Sequence, residues 1–310
     1  MKKVLLMLVT VFGFYFAGFA FGQQERIKDK VVVATAFHAV DELVLIVAGE
    51  YADVVALVPD TADVHHYEPR PKDIQNLNGA DVVFVVGLGM EEWIEDLVEG
   101  KLLDKNKIVT LSSGMSLIEV DDDHDAHAHA HDHSHGGHSD DEDYDPHIWL
   151  GATEVVQMVE KIAESLSRLD PAHEHVYREN AKRFSSELVV LRDEFRARFA
   201  TCRKKNLVVA HEAFGYLCRD FGLMQKGVTN VFNESASSAK SIAHLVDFCR
   251  SNGITVIFTE AMSSSAIAET VARELKIKTE RLYTMESSED GLSFLERYRR
   301  NLERIFASLQ

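Results

Sequence analysis

Residues 174–200 read EHVYRENAKRFSSELVVLRDEFRARFA. The stretch contains no glycine and no proline, and Pro171 just ahead of it suits the first residue of a helix. From Pro171 to about Ala200 the pattern predicts one helix of about thirty residues, roughly 45 Å long at about 1.5 Å per residue. That is longer than an ordinary domain needs, and it fits a strut between two lobes.

The chain on either side agrees. Ahead of the strut, VVVATA at 31–36, DVVALV at 53–58, DVVFVV at 81–86 and residues 107–111 read as strands. Residues 39–48, a segment capped by Asp73 and residues 91–98 read as helices between them, and residues 153–169 are helical. Beyond the strut, LVVA at 207–210, residues 227–231, ITVIFT at 254–259 and TERLYT at 279–284 read as strands, and residues 291–309 close the chain as a helix. Short β-branched runs alternating with helices are the mark of a parallel sheet covered on both faces. The expected architecture is α/β, with lobes at 30–168 and 201–310 joined by a long rigid helix at 169–200.

At the amino terminus, Lys2 and Lys3 precede an uncharged run at 4–21, which ends in Ala20-Phe21-Gly22. This is the layout of a cleaved secretory signal over residues 1–22. A retained anchor is the other reading, because the run sits at the lower limit for spanning a bilayer. Small residues at the end of the run and the polar stretch after it favour cleavage. No cysteine stands at the cleavage point, so a lipid anchor is not indicated, and a periplasmic protein is expected. Losing Lys2 and Lys3 would take the formal charge from −17 to −19. Ten acids fall within residues 121–145, which hold no Lys or Arg, so the acidity is local and nucleic acid is not an expected partner. Cys202, Cys218 and Cys249 would allow one disulfide after export, and three buried thiols without a bridge fit equally well.

Several histidines fall where the predicted strands end. His65 and His66 follow the second strand in ADVHHYEPRP, His147 follows the fourth in DPHIWL, and His211 follows the first strand of the second half in LVVAHEAFGYL. Open parallel sheets bind ligands beyond the carboxyl ends of their strands, so histidines from both halves point towards one crevice. Glu286, after TERLYTM, is a carboxylate in an equivalent place. Neutral imidazoles with one carboxylate or a water suit Zn2+.

At these residues the chain resembles the solute-binding proteins of zinc and manganese ABC importers, and the zinc branch most closely. HHYEPRPKD, DPHIWL and HEAFGYL carry the resemblance, which covers about Lys30 to the end. It implies metal held between two lobes, with ligands at His65, His147 and His211. His65 is favoured over His66 because the family's ligand stands two places before the tyrosine, here Tyr67. Manganese members have a glutamate where this chain has His211, which favours Zn2+ over Mn2+. Two departures stand out: Val64 replaces the usual proline, and MESSED replaces the usual aspartate loop, so the fourth donor is Glu286 or water. The partner implied is an inner-membrane ABC permease, and a monomer that closes little around its stiff helix is expected, with hinge closure as the alternative. Binding by neutral histidines should weaken in acid.

Residues 121–144 carry seven histidines among acids, alanine and glycine, too few apolar groups to offset chain entropy. The expectation is a disordered loop that scavenges zinc weakly or passes it to a tight site at His147. A solvated insert with incidental metal affinity is the plainer reading. Two other functions remain. A zinc hydrolase could use Glu212 as its base, but HEAFG lacks the second histidine of HExxH, and no GxSxG elbow, P-loop or dinucleotide fingerprint is present. An adhesion or metal-sequestering protein of the same fold, including a manganese-binding one, is the third class.

Overall fold

The computed structural model describes residues 30–120, 144–229, 239–261 and 266–310. The expected signal at 1–22 and residues 121–143 of the acidic histidine stretch lie outside the described residues. The first sheet contains β1 (Val31–Thr35), β2 (Ala52–Ala56), β3 (Val82–Val85) and β4 (Ile108–Thr110), with helices α1 (His38–Ala48), α2 (Pro71–Gly79) and α3 (Glu92–Glu99) between them. Then come α4 (Ala152–Leu169) and α5 (Glu174–Ala200). The second half runs β5 (Asn206–His211), α6 (Gly215–Phe221), β6 (Met224–Thr229), α7 (Ala239–Ser251), β7 (Val256–Thr259), α8 (Ala266–Leu275), β8 (Lys278–Arg281) and α9 (Phe294–Ser308).

The two sheets are wound alike. Their strand orders are β2-β1-β3-β4 and β6-β5-β7-β8, and the strands pair in parallel. In each sheet the chain leaves the first strand for one neighbour and returns on its other side. The crevice at that reversal is the usual ligand position in an open parallel sheet. In the second sheet the reversal lies between β5 and β7, and His211 is the last residue of β5.

The strut forms one continuous helix. At 27 residues, α5 spans about 40 Å. It buries Tyr177, Ala181, Phe184, Leu188, Leu191, Phe195 and Phe199, one stripe recurring every three or four residues. It packs on α1 and α4 towards the first lobe and on α6 and α9 towards the second. One apolar core therefore runs from the inner face of the first sheet, through α4 and α5, to α9. The outer sheet faces have separate cores, one including Val83, Val85, Ile94 and Leu97, the other Val208, Leu245, Ile257 and Val271.

Several predicted boundaries differ. Pro171 opens a 3-10 turn, Pro171–His173, and α5 starts at Glu174. Asp73 is not the cap of α2 but its third residue. Its carboxylate reaches back to the Arg70 backbone N–H at 2.8 Å and accepts the Tyr67 hydroxyl at 2.6 Å. The strand predicted at 227–231 starts at Met224, because MQKGVT lies on a sheet edge and needs no apolar run. Cys202, Cys218 and Cys249 are buried free thiols, and burial pushes the thiols of Cys218 and Cys249 upward, the latter to about 11.

Candidate metal centre

His65, His147 and His211 converge. Each offers a ring nitrogen, and these atoms all lie within 4.8 Å of one another. The ring centroids stand 5.3 Å (His65–His147), 5.2 Å (His65–His211) and 4.9 Å (His147–His211) apart. His147 and His211 are buried and His65 is half-buried. His65 comes from the loop after the edge strand β2, His211 from the end of β5, and His147 from the segment that enters α4.

A carboxylate stands beside each of the three residues, at the ring of His147 and of His211 and at the backbone of His65. Asp63 Oδ1 accepts the His65 backbone N–H at 2.9 Å, and its other oxygen lies 3.2 Å from Nδ1 of His66. The same aspartate thus fixes the His65 backbone and draws His66 to the exposed side. Asp145 repeats the device two residues before His147: Oδ1 accepts the His147 backbone N–H at 2.9 Å and lies 2.8 Å from Nδ1. Val64 takes the place that Pro146 has in the second Asp-x-His turn. The aspartate, rather than a proline, sets the turn that both share. On the other lobe, Glu260 Oε2 lies 3.3 Å from Nδ1 of His211. A carboxylate at Nδ1 holds that proton and leaves Nε2 as the donor lone pair. The Nε2 atoms of His65 and His147 are buried without a hydrogen-bond partner among the described residues, and so are Oε1 of Glu260 and Oε1 of Glu286. Buried polar atoms without partners are costly, so such a cluster fits groups held ready for a cation.

The electrostatics agree. Burial, with His147 and His211 adding to it, pushes His65 down to about 2, and burial followed by His211 holds His147 well below the ordinary imidazole value. Both rings are neutral, as coordination requires. Burial, assisted by Glu260 and opposed by His211, pushes Glu286 up to about 8. Glu286 thus feels the charges of Glu260 and His211, while among the described residues the group within mutual reach consists of the three histidines.

Trp149 covers the site from behind. Its ring lies 5.1 Å from that of His147, and its Nε1–H donates to Thr284 O at 2.7 Å, tying the first lobe to the loop that carries Glu286. Glu212 does not turn to the cluster; its Oε1 accepts the Gly227 backbone N–H at 2.7 Å and so holds β6 beside the end of β5. The sequence reading missed Asp63 and Asp145 as partners of the histidines. The signal was there in two Asp-x-His triplets, one ending at each first-lobe histidine of the cluster.

The profile of the family described as "ZnuA: Zinc-uptake complex component A periplasmic" matches residues 32–308. The chain belongs to this family. It is 34% identical over 278 residues to a Treponema pallidum (strain Nichols) protein named for metal binding, covering 90% of this chain and 87% of that one. It is 31% identical over 293 residues to the high-affinity zinc uptake system protein ZnuA of Bacillus subtilis (strain 168), covering 93% and 90%. The chain spans only 61% of the length of the zinc-binding AdcA proteins of Streptococcus pyogenes and Streptococcus pneumoniae that it matches. Among solved structures, a Zn(II)-bound mutant of AdcAII from Streptococcus pneumoniae superposes with a TM-score of 0.78 at 26% identity, over 91% of this chain and 99% of that one. Zinc-uptake ZnuA family membership and the paired-sheet fold with its long helix agree with the resemblance read from the sequence.

Proposed function

We propose that this protein captures Zn2+ in the periplasm and delivers it to an ABC permease of the inner membrane, with His65, His147 and His211 as the metal ligands and Glu286 or water completing the shell. The observation that carries this reading is the convergence of three imidazoles, with Nε2 atoms of His65 and His147 that are buried and have no partner among the described residues. Three nitrogen donors with one oxygen suit tetrahedral Zn2+ better than Mn2+, which prefers oxygen. Zinc is cargo in this reading, and no catalysis is assigned. The base that a hydrolase would need is engaged elsewhere, since Glu212 is spent on Gly227. The protein is proposed to act as a monomer, exported by cleavage after Gly22.

Competitive titration of the purified mature chain with Zn2+ and Mn2+, beside a His211→Ala variant, tests the reading. Tight zinc binding that is preferred over manganese and lost in the variant is the expected result. Equal zinc binding by variant and parent would remove the central site, and hydrolysis of ester or peptide substrates would support the enzyme instead.

A further inference from the structure

The loop that carries Glu286 belongs to the second lobe, yet much of its polar anchoring comes from the first. Arg297 on α9 is 1% exposed. Its Nη1 donates to Ser287 O at 3.0 Å and its Nη2 donates to Glu42 Oε2 on α1. Glu42 Oε1 also accepts the Phe294 backbone N–H at 2.7 Å. Asp60, beyond β2, accepts the Ser288 N–H at 3.2 Å, and Trp149 holds Thr284 O. The segment 284–294 is therefore fastened to the first lobe on both sides of Glu286. Met285, immediately before Glu286, is buried with φ at +64°, a backbone state that a non-glycine side chain resists. Such a conformation persists only where the surroundings impose it. Here the bonds to Thr284 and Ser287 do so, one on either side of Glu286, whose Oε1 is buried without a hydrogen-bond partner among the described residues.

We propose that Glu42 and Arg297 are positioning residues for metal capture: the ion pair between buried Arg297 and half-buried Glu42 bridges the lobes and holds the 285–288 loop so that Glu286 meets the cation. An arginine is required, because only its planar fork reaches a carbonyl and a carboxylate together. Removing Glu42 leaves the Arg297 guanidinium buried without its carboxylate, so the loop is released rather than merely loosened. His38 sits at the exposed edge of the clamp, 3.9 Å from Glu42 and 3.7 Å from Asp60, and does not join the histidine cluster.

The inference rests on the zinc site proposed above, and the test separates the two. Zinc release from the loaded mature protein into excess chelator is followed by stopped flow for the parent, Glu42→Gln, Glu286→Gln and the double variant, with His147→Ala as a control. The side-chain amide introduced by Glu42→Gln can still accept the Phe294 N–H, so the fold is retained; melting of each variant without metal verifies this, and Arg297→Lys replaces any variant that has melted. Glu42→Gln should release zinc about tenfold faster, as loss of an orienting partner does at other metal sites. The double variant should release it no faster than Glu286→Gln alone. Release from Glu42→Gln at the parent's rate, no effect of Glu286→Gln, or a full additional effect in the double variant would each overturn the clamp. If His147→Ala also binds and releases zinc like the parent, the zinc site itself fails, whatever the clamp does.

Discussion

Oδ1 of Asp145 serves His147 twice, lying 2.8 Å from the ring Nδ1 and 2.9 Å from the backbone nitrogen that it binds. One buried oxygen thus sets both where His147 stands and which nitrogen it offers. Asp145→Ala should weaken zinc binding about tenfold or more while the chain stays folded, as second-layer carboxylates do for other histidine ligands. Competitive titration checks this; an unchanged dissociation constant would show that packing alone orients the ring.

Gly215, at the start of α6, lies against the same aspartate: a Cβ there would collide with Asp145 Oδ2. Gly215→Ala should cost about 1–3 kcal/mol of stability through overpacking and weaken zinc binding at the same time. Chemical denaturation and titration of one variant would show both losses. A variant as stable and as tight as the parent would mean that α6 shifts freely.

Trp149 donates its indole N–H to Thr284 O in a fully buried contact between the lobes. Trp149→Phe keeps most of the apolar volume and leaves that carbonyl without its donor. The expected cost is about 1–3 kcal/mol by denaturant unfolding of the metal-free protein. Zinc should also change the emission of the parent far more than that of the variant, because the indole stands beside His147.

Burial has a consequence for pH. His65 and His147 titrate far below 6.5 when folded and near it when unfolded. Between those values the unfolded chain takes up protons that the folded chain refuses. The stability that these two rings contribute is therefore fully present above about pH 6.5 and is lost as pH falls, by up to about 1.4 kcal/mol per pH unit for each. Melting of the metal-free parent beside His147→Ala from pH 7.5 to 5 isolates this contribution, because Glu286, Asp145 and Glu91, pushed up by burial to about 8, 7 and 7, act in the opposite direction over the same range; the parent should lose stability relative to the variant as pH falls. The same burial shifts proton competition for zinc to lower pH, so the loss of affinity in acid should be shallower than three exposed imidazoles would give.

The fold was legible because most of its strands are β-branched runs and its strut is an unbroken helical stretch; the two edge strands of the second sheet, MQKGVT and KTER, fit that pattern poorly, and the latter spans Lys278–Arg281 rather than the predicted 279–284. His65 and His211 were legible from their places after β2 and at the end of β5, a consequence of sheet topology, whereas His147 stands far beyond β4, at the entry to α4, and was legible from DPHIWL. The clamp was not. Glu42 and Arg297 lie 255 positions apart and carry no local signal, and their meeting depends on how α1 and α9 both pack against α5. Nor was the pairing of Glu260 with His211 legible, because it depends on β5 and β7 being neighbours.

The most direct test is anomalous scattering at the zinc edge from crystals of the zinc-loaded chain lacking residues 121–143, so that the histidine-rich stretch cannot supply ligands. A single strong peak about 2.0–2.1 Å from ring nitrogens of His65, His147 and His211 is predicted. A peak elsewhere, with none between these three rings, would contradict it.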